Sequence, residues 1–178
     1  AADEYPARQI KIIVPFPAGA GPDQVARLLG QQLQEALGQT IVIENRSGAL
    51  GSLGAQEGAR AQPDGYTLLM GTNTTQASNV AMLKNLPYDP AKDFTPIALT
   101  STVAFVLVVH PSLPVHSVKE LIAYIKERPG QFAFGSTGLG STPHLAFAIL
   151  RRDAGLKMPP GPYPGMPPAR QCGLGQPG

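Results

Sequence analysis

The sequence predicts an α/β fold built on a parallel sheet. Two observations lead there: through the first 158 residues short β-type runs alternate with helical patterns, and small-residue loops repeatedly join a run to the helix after it. Parallel neighbours need crossover helices, and such crossovers are right-handed almost without exception.

The elements follow in order. Residues 9–14 are β-branched and apolar and stop at Pro15-Phe16-Pro17. Asp23 is placed to cap a helix in which Val25, Leu28, Leu29, Leu33, Ala36 and Leu37 share one face, with Gly38 as its stop. Residues 40–44 read as the second strand, and a glycine-punctuated turn over 46–54 opens an Ala-rich helix near 53–61. Pro63-Asp64-Gly65 is a turn signal before a third strand at 66–70.

A proline-rich connection over 87–96 leads to a long β-type run at 97–109, ended by Pro111 and Pro114. Ser117 and Glu120 form a capping box for an amphipathic helix through Leu121, Ile122 and Ile125. Residues 131–134 read as a strand, residues 135–142 as a second glycine- and hydroxyl-rich loop, and Pro143 suits the first turn of a last helix. The final 20 residues hold seven prolines and five glycines with no apolar periodicity. Such a tail cannot bury enough surface to offset its ordering entropy and is expected to be disordered.

Composition excludes several classes. A hydrophobic fraction of 43% with 15% charged residues suits a globular chain, and a net charge of +2 is too small for a nucleic-acid surface. No apolar run reaches the roughly 20 residues needed to span a bilayer. The single cysteine, Cys172, forms no internal disulfide. The small, polar start Ala1-Ala2-Asp3-Glu4 fits the mature end of an exported protein whose signal peptide has been removed.

The repeated strand–loop–helix device points to binding. It occurs at 15–23, 45–54 and 135–142, with a looser case at 71–78. Each places unpaired N–H groups and a positive helix end at the C-terminal edge of a parallel sheet, where open α/β sheets hold ligands. One such loop is an ordinary βα turn; three or four together favour a small anion held by main chain and hydroxyls.

The enzyme alternative is a nucleotide-dependent α/β protein using Gly19, Gly21 and Glu44. It is weakened by Gln24, which stands where the fingerprint needs a small residue, and by the absence of a Gly-Lys-Ser/Thr loop. No nucleophile elbow, His-Glu-x-x-His pair or metal-ligand spacing is present, so no catalytic residue, cofactor or metal is expected. A decayed fragment without function is the third reading.

The run Ile13-Val14-Pro15-Phe16-Pro17-Ala18-Gly19-Ala20-Gly21-Pro22-Asp23 resembles the first signature of Bug-type receptors, the periplasmic substrate-binding proteins of tripartite tricarboxylate transporters. Val42-Ile43-Glu44-Asn45-Arg46-Ser47-Gly48, Pro63-Asp64-Gly65-Tyr66-Thr67, Leu86-Pro87-Tyr88-Asp89-Pro90 and Ser141-Thr142-Pro143-His144 follow in the family's order. The resemblance implies a periplasmic-binding-protein-like (Venus flytrap) architecture of two α/β lobes holding a small carboxylate, a di- or tricarboxylate or an amino acid. The receptor is non-catalytic and presents its ligand to membrane transporter subunits.

Carried over by position, the ligand residues are Phe16, Ala18, Gly19, Ala20, Gly21 and Asp23, with Gly48, Ser52, Thr72 and Thr74, and in the second lobe Ser136, Thr137, Gly138, Ser141, Thr142 and His144. The expected domains are residues 1–101 as a first lobe lacking its returning C-terminal part, 102–158 as the start of an incomplete second lobe, and 159–178 as an aberrant tail. The loss of periodicity at Pro159 points to a frameshift or truncation, with ligand affinity weakened in consequence.

Overall fold

The computed structural model describes residues 5–136 and 138–162. The chain divides after Thr102 into two compact units.

In the first unit, β1 (Ile10–Val14), β2 (Ile41–Asn45) and β3 (Thr67–Leu69) form a parallel sheet in the order β2-β1-β3. Ile10 pairs with Ile41 and Val14 with Asn45, while Lys11 to Ile13 pair with Thr67 to Leu69. Apart from Lys11 the central strand is apolar and buried, because both faces of the sheet are covered.

Strand alternation sends Ile12 and Val14 toward α1 (Gly21–Leu37), where they pack with Ala26, Met70, Val25, Leu29 and Leu33. The other three residues predicted for that helical face, Leu28, Ala36 and Leu37, are exposed. Gly38, at φ 66°, ends α1 in the left-handed conformation that glycine adopts without strain.

Lys11 and Ile13 face the opposite side, toward α2 (Ser52–Ala59). There Lys11 meets Glu44 and Glu57 at 3.1 and 3.2 Å, and Arg46 reaches the same two carboxylates. The hydrogen bond from Lys11 lowers the Glu44 pKa. After β3 a continuous helical run leads from a π-helical stretch at Thr74–Ser78 into α3 (Asn79–Met82), so the looser loop device also ends in a helix.

In the second unit, α4 (Val118–Lys126) begins at the predicted cap: Glu120 N–H donates to Ser117 Oγ at 3.2 Å, while the Glu120 carboxylate accepts from His116 N–H at 2.7 Å, one residue before the cap amide that a capping box would use. Leu121 and Ile125 on α4 bury against Phe134, Leu156 and Met158. β4 (Phe134–Ser136) lies later than the strand expected at 131–134, and α5 (Thr142–Ala154) follows it.

Two expectations are corrected. The run 97–109 forms no strand: Ile97 is 80% exposed and Val106 80% exposed. Strand propensity expresses a fit to neighbouring strands, and among the described residues none pairs with this segment. The tail does not begin at Pro159, because β5 (Pro160–Pro162) pairs in parallel with β4. Proline lacks an N–H but keeps its carbonyl, and Phe134 N–H donates to the oxygen of Pro159 at 3.3 Å. The rest of the predicted tail, Cys172 included, lies outside the described residues.

Candidate functional site

In the first unit the loops following β1, β2 and β3 meet at the C-terminal edge of the sheet. The contact is close: a Cβ on Gly51 would lie 2.8 Å from Thr75 Cγ2, 3.2 Å from the Pro15 oxygen and 3.3 Å from the Phe16 ring.

Asp23 organises the first loop. It is 2% exposed and is the third residue of α1, whose N-cap is Ala20 without a side-chain cap. The expected capping role is therefore corrected: the carboxylate reaches back beyond the cap and accepts from Gly19 N–H at 2.8 Å. It also accepts from Arg27 Nε at 2.9 Å and from Asn45 Nδ2 at 2.9 Å. Burial alone would raise its pKa, but the bonds from Arg27, Gly19 and Asn45 outweigh it and hold the group at about 2. Asn45 also donates to the Phe16 carbonyl at 3.0 Å, tying the end of β2 to the loop after β1.

Two of the predicted donors are consumed internally. Gly19 N–H goes to Asp23, and Ala20 N–H goes to the Pro17 carbonyl at 3.2 Å. Among the described residues the amides of Ala18, Gly21 and Asp23 have no acceptor. Phe16 and Ala20 are half-buried, while Ala18, Gly19 and Gly21 are exposed.

The second loop turns left-handed. Ala49 and Leu50 have φ of 45° and 58°, between Gly48 at 133° and Gly51 at 80°. Gly51 N–H closes the turn on the Gly48 carbonyl at 2.9 Å, and α2 starts at Ser52, which is buried. In the third loop Thr72 N–H donates to Thr75 Oγ1 at 3.0 Å and Thr75 N–H to Thr72 Oγ1 at 3.3 Å, with Thr74 and Thr75 buried.

Behind these loops stand residues that sequence reasoning missed as a group. Asn79, 0% exposed, donates from Nδ2 to the Leu50 carbonyl at 3.1 Å, and the Tyr88 hydroxyl donates to the Thr75 carbonyl at 2.6 Å. Burial raises the pKa of that phenol. Asn45 and Tyr88 did lie inside motifs quoted for the resemblance; nothing in the local pattern marks Asn79.

In the second unit, Ser136 is buried at the end of β4 and Ser141 is buried at the start of α5. The Ser141 hydroxyl donates to the Gly138 carbonyl at 2.8 Å. His144 accepts from Gly140 N–H through Nδ1 at 3.1 Å and stacks 5.8 Å from the Phe134 ring, so it shapes the loop. Thr142 is half-buried on the first turn of α5, while Thr137 lies outside the described residues.

A groove of about 660 Å³ lies elsewhere, lined by Arg8, Lys11, Glu57, Arg60 and Asp64. Arg8 and Asp64 precede β1 and β3, and Ile13 and Leu53 also line it, so the groove runs along the α2 side of the sheet from the strands' N-terminal edge. Among the described residues no group of three potential metal ligands occurs, and no helix is long and apolar enough to cross a membrane.

The nucleotide alternative loses its acid, since Glu44 is engaged by Lys11 and Arg46. Gln24 does not pack as a small residue would; its amide donates to the Gly19 carbonyl at 2.9 Å.

Comparison with known proteins agrees with the receptor reading. BugT of Bordetella pertussis is 40% identical over 169 residues, which is 94% of this chain and 52% of that protein. A solved Rhodopseudomonas palustris protein, Rpa4515 with adipate, is 39% identical with a TM-score of 0.89, covering 96% of this chain and 57% of the other. MatC (Rpa3494) from the same organism, with bound malate, is 34% identical with a TM-score of 0.83, covering 95% and 57%. The chain spans about half the length of the curated relatives it matches. The family described as "Tripartite tricarboxylate transporter family receptor" matches residues 25–176, and with that the chain belongs to this family.

Proposed function

We propose that this chain serves in a periplasmic receptor that captures a small dicarboxylate for uptake through membrane transporter subunits. The observation that carries the reading is the meeting of three strand-end loops beside the starts of α1 and α2, with the amides of Ala18, Gly21 and Asp23 left without an acceptor among the described residues. A carboxylate near a helix start is favoured by about 0.3–1 kcal/mol through the helix dipole, and more where amides bond it directly. The adipate and malate of the two solved relatives support a dicarboxylate as the ligand class.

The proposed contacts in the first unit are Phe16, Ala18, Gly19, Ala20, Gly21, Gly48, Ser52, Thr72 and Thr74. The Asp23 side chain acts through Gly19, because its oxygens are already bonded and neutralised by Arg27; only the Asp23 main-chain N–H is offered to the ligand. In the second unit the proposed contacts are Ser136, Thr137, Gly138, Ser141, Thr142 and His144. Binding needs no chemistry: the ligand stabilises whichever conformation it contacts best.

Thermal unfolding tests this. Malate or adipate at ten times its Kd is expected to stabilise the protein by about 1.4 kcal/mol, while 1,6-hexanediol and NAD leave the midpoint unchanged. A rise with NAD alone, or none with any dicarboxylate, overturns the proposal.

A further inference from the structure

The turn at residues 48–51 is held in an unusual state. Four consecutive residues have positive φ, and two of them, Ala49 and Leu50, carry a Cβ that disfavours that region. Leu50 sits at φ 58° and ψ 33°, in the left-handed helical well itself. Such backbone persists only where the surroundings impose it.

The surroundings here are a buried polar cluster. Asn79 and Thr75 are fully buried and Tyr88 is 6% exposed. Asn79 Nδ2 donates to the Leu50 carbonyl, at the centre of the turn, and lies 3.4 Å from the Tyr88 hydroxyl. Tyr88 donates its own proton to the Thr75 carbonyl, which fixes the hydroxyl as the acceptor of the amide. The Asn79 oxygen, by contrast, has no partner among the described residues. A buried amide with an unmatched carbonyl is a poor stabiliser by itself. Its donor half has a defined task, and that task is the Leu50 carbonyl.

We infer that Asn79, oriented by Tyr88, is a positioning residue for the α2 arm of the site: it holds the left-handed turn that delivers Gly51 and Ser52 to the edge where the loops after β1 and β3 meet. The link to ligand rests on the carboxylate reading above; the link to the turn does not.

The experiment uses the whole chain, labelled with ¹⁵N and ¹³C, as wild type, Asn79→Leu and Tyr88→Phe. Cα and Cβ shifts report whether Ala49 and Leu50 keep left-handed backbone, and a malate titration reports the site. With Asn79→Leu the β1–β3 signals stay, Ala49 and Leu50 lose their left-handed shifts, and the malate Kd rises about tenfold. The response is lost at Gly51 and Ser52 and kept at Gly21. Tyr88→Phe gives the same pattern more weakly, and decides the matter should Asn79→Leu not fold. Left-handed shifts retained in the folded variants overturn the inference. So does a lost turn with unchanged malate affinity. A wild type that ignores malate sinks the carboxylate reading instead, and the backbone shifts still decide whether Asn79 holds the turn.

Discussion

Replacing Asp23 with alanine is expected to lower the unfolding free energy of the first unit by about 3 kcal/mol, read from urea denaturation. The change removes three charge-assisted bonds at once and leaves Gly19 N–H and Asn45 Nδ2 without their acceptor. Arg27 is half exposed and recovers solvation, which keeps the loss below that of a fully buried ion pair. The effect depends on pH. The folded carboxyl titrates at about 2 against an ordinary 3.8, so the unfolded state binds its proton first as the medium acidifies. The contribution is complete above about pH 5 and is lost as pH falls toward 2, and it amounts to about 2 kcal/mol. In Asp23→Ala that part of the acid dependence disappears. Equal acid sensitivity in the two proteins would show that the carboxylate is not held as described.

Gly54→Ala is the second large effect, and its sign is decided by contacts. On an open helix surface alanine is better than glycine by up to about 1 kcal/mol. At Gly54 the new Cβ would sit 2.7 Å from the Arg46 carbonyl oxygen and 2.8 Å from Pro15 Cα. Both are backbone atoms, so the strand ends must separate for the methyl group to fit. A loss of about 2–3 kcal/mol is expected, with the loops after β1 and β2 displaced. Gly58→Ala on the same helix is the control: its nearest neighbours stand at 3.5 Å, an ordinary contact, and a slight gain is expected. If both variants gained stability, α2 would not lie as close to Pro15 as the structure places it.

Much of this fold was legible because local and tertiary preferences agree. The apolar run ending at Pro15 is β1, the residue period from Val25 to Leu33 is the buried face of α1, and Ser117 with Glu120 starts α4. Where the two disagree, sequence reading failed. Residues 97–109 have the composition of a strand, but a strand exists only with a neighbour to bond. Asp23 has the chemistry of a cap, but Pro22 and the left-handed Gly19 (φ 81°) move the chain entry so that the carboxylate meets a residue before the cap.

The candidate site was legible as a set of loops rather than as a set of donors. Glycine and proline mark where the chain turns, yet they do not say which amides remain unbonded. Gly19 and Ala20 were expected to present their N–H groups; Asp23 and Pro17 take them. The Asn79–Tyr88 cluster depends on contacts across 9 and 29 residues of sequence, beyond the reach of any local pattern.

The claim beneath all of this is that main-chain amides at the C-terminal edge of the first unit's sheet receive a carboxylate. A ¹H–¹⁵N titration of the intact chain with malate measures it residue by residue. The account predicts saturable shifts at Ala18, Gly21 and Asp23, and smaller ones at the neighbouring Gly51 and Ser52, whose own amides close on the Gly48 and Ala49 carbonyls, with Arg8, Arg60 and Asp64 unmoved. Shifts confined to the mixed-charge groove around Arg8, Arg60 and Asp64, toward the N-terminal end of the strands, would contradict it.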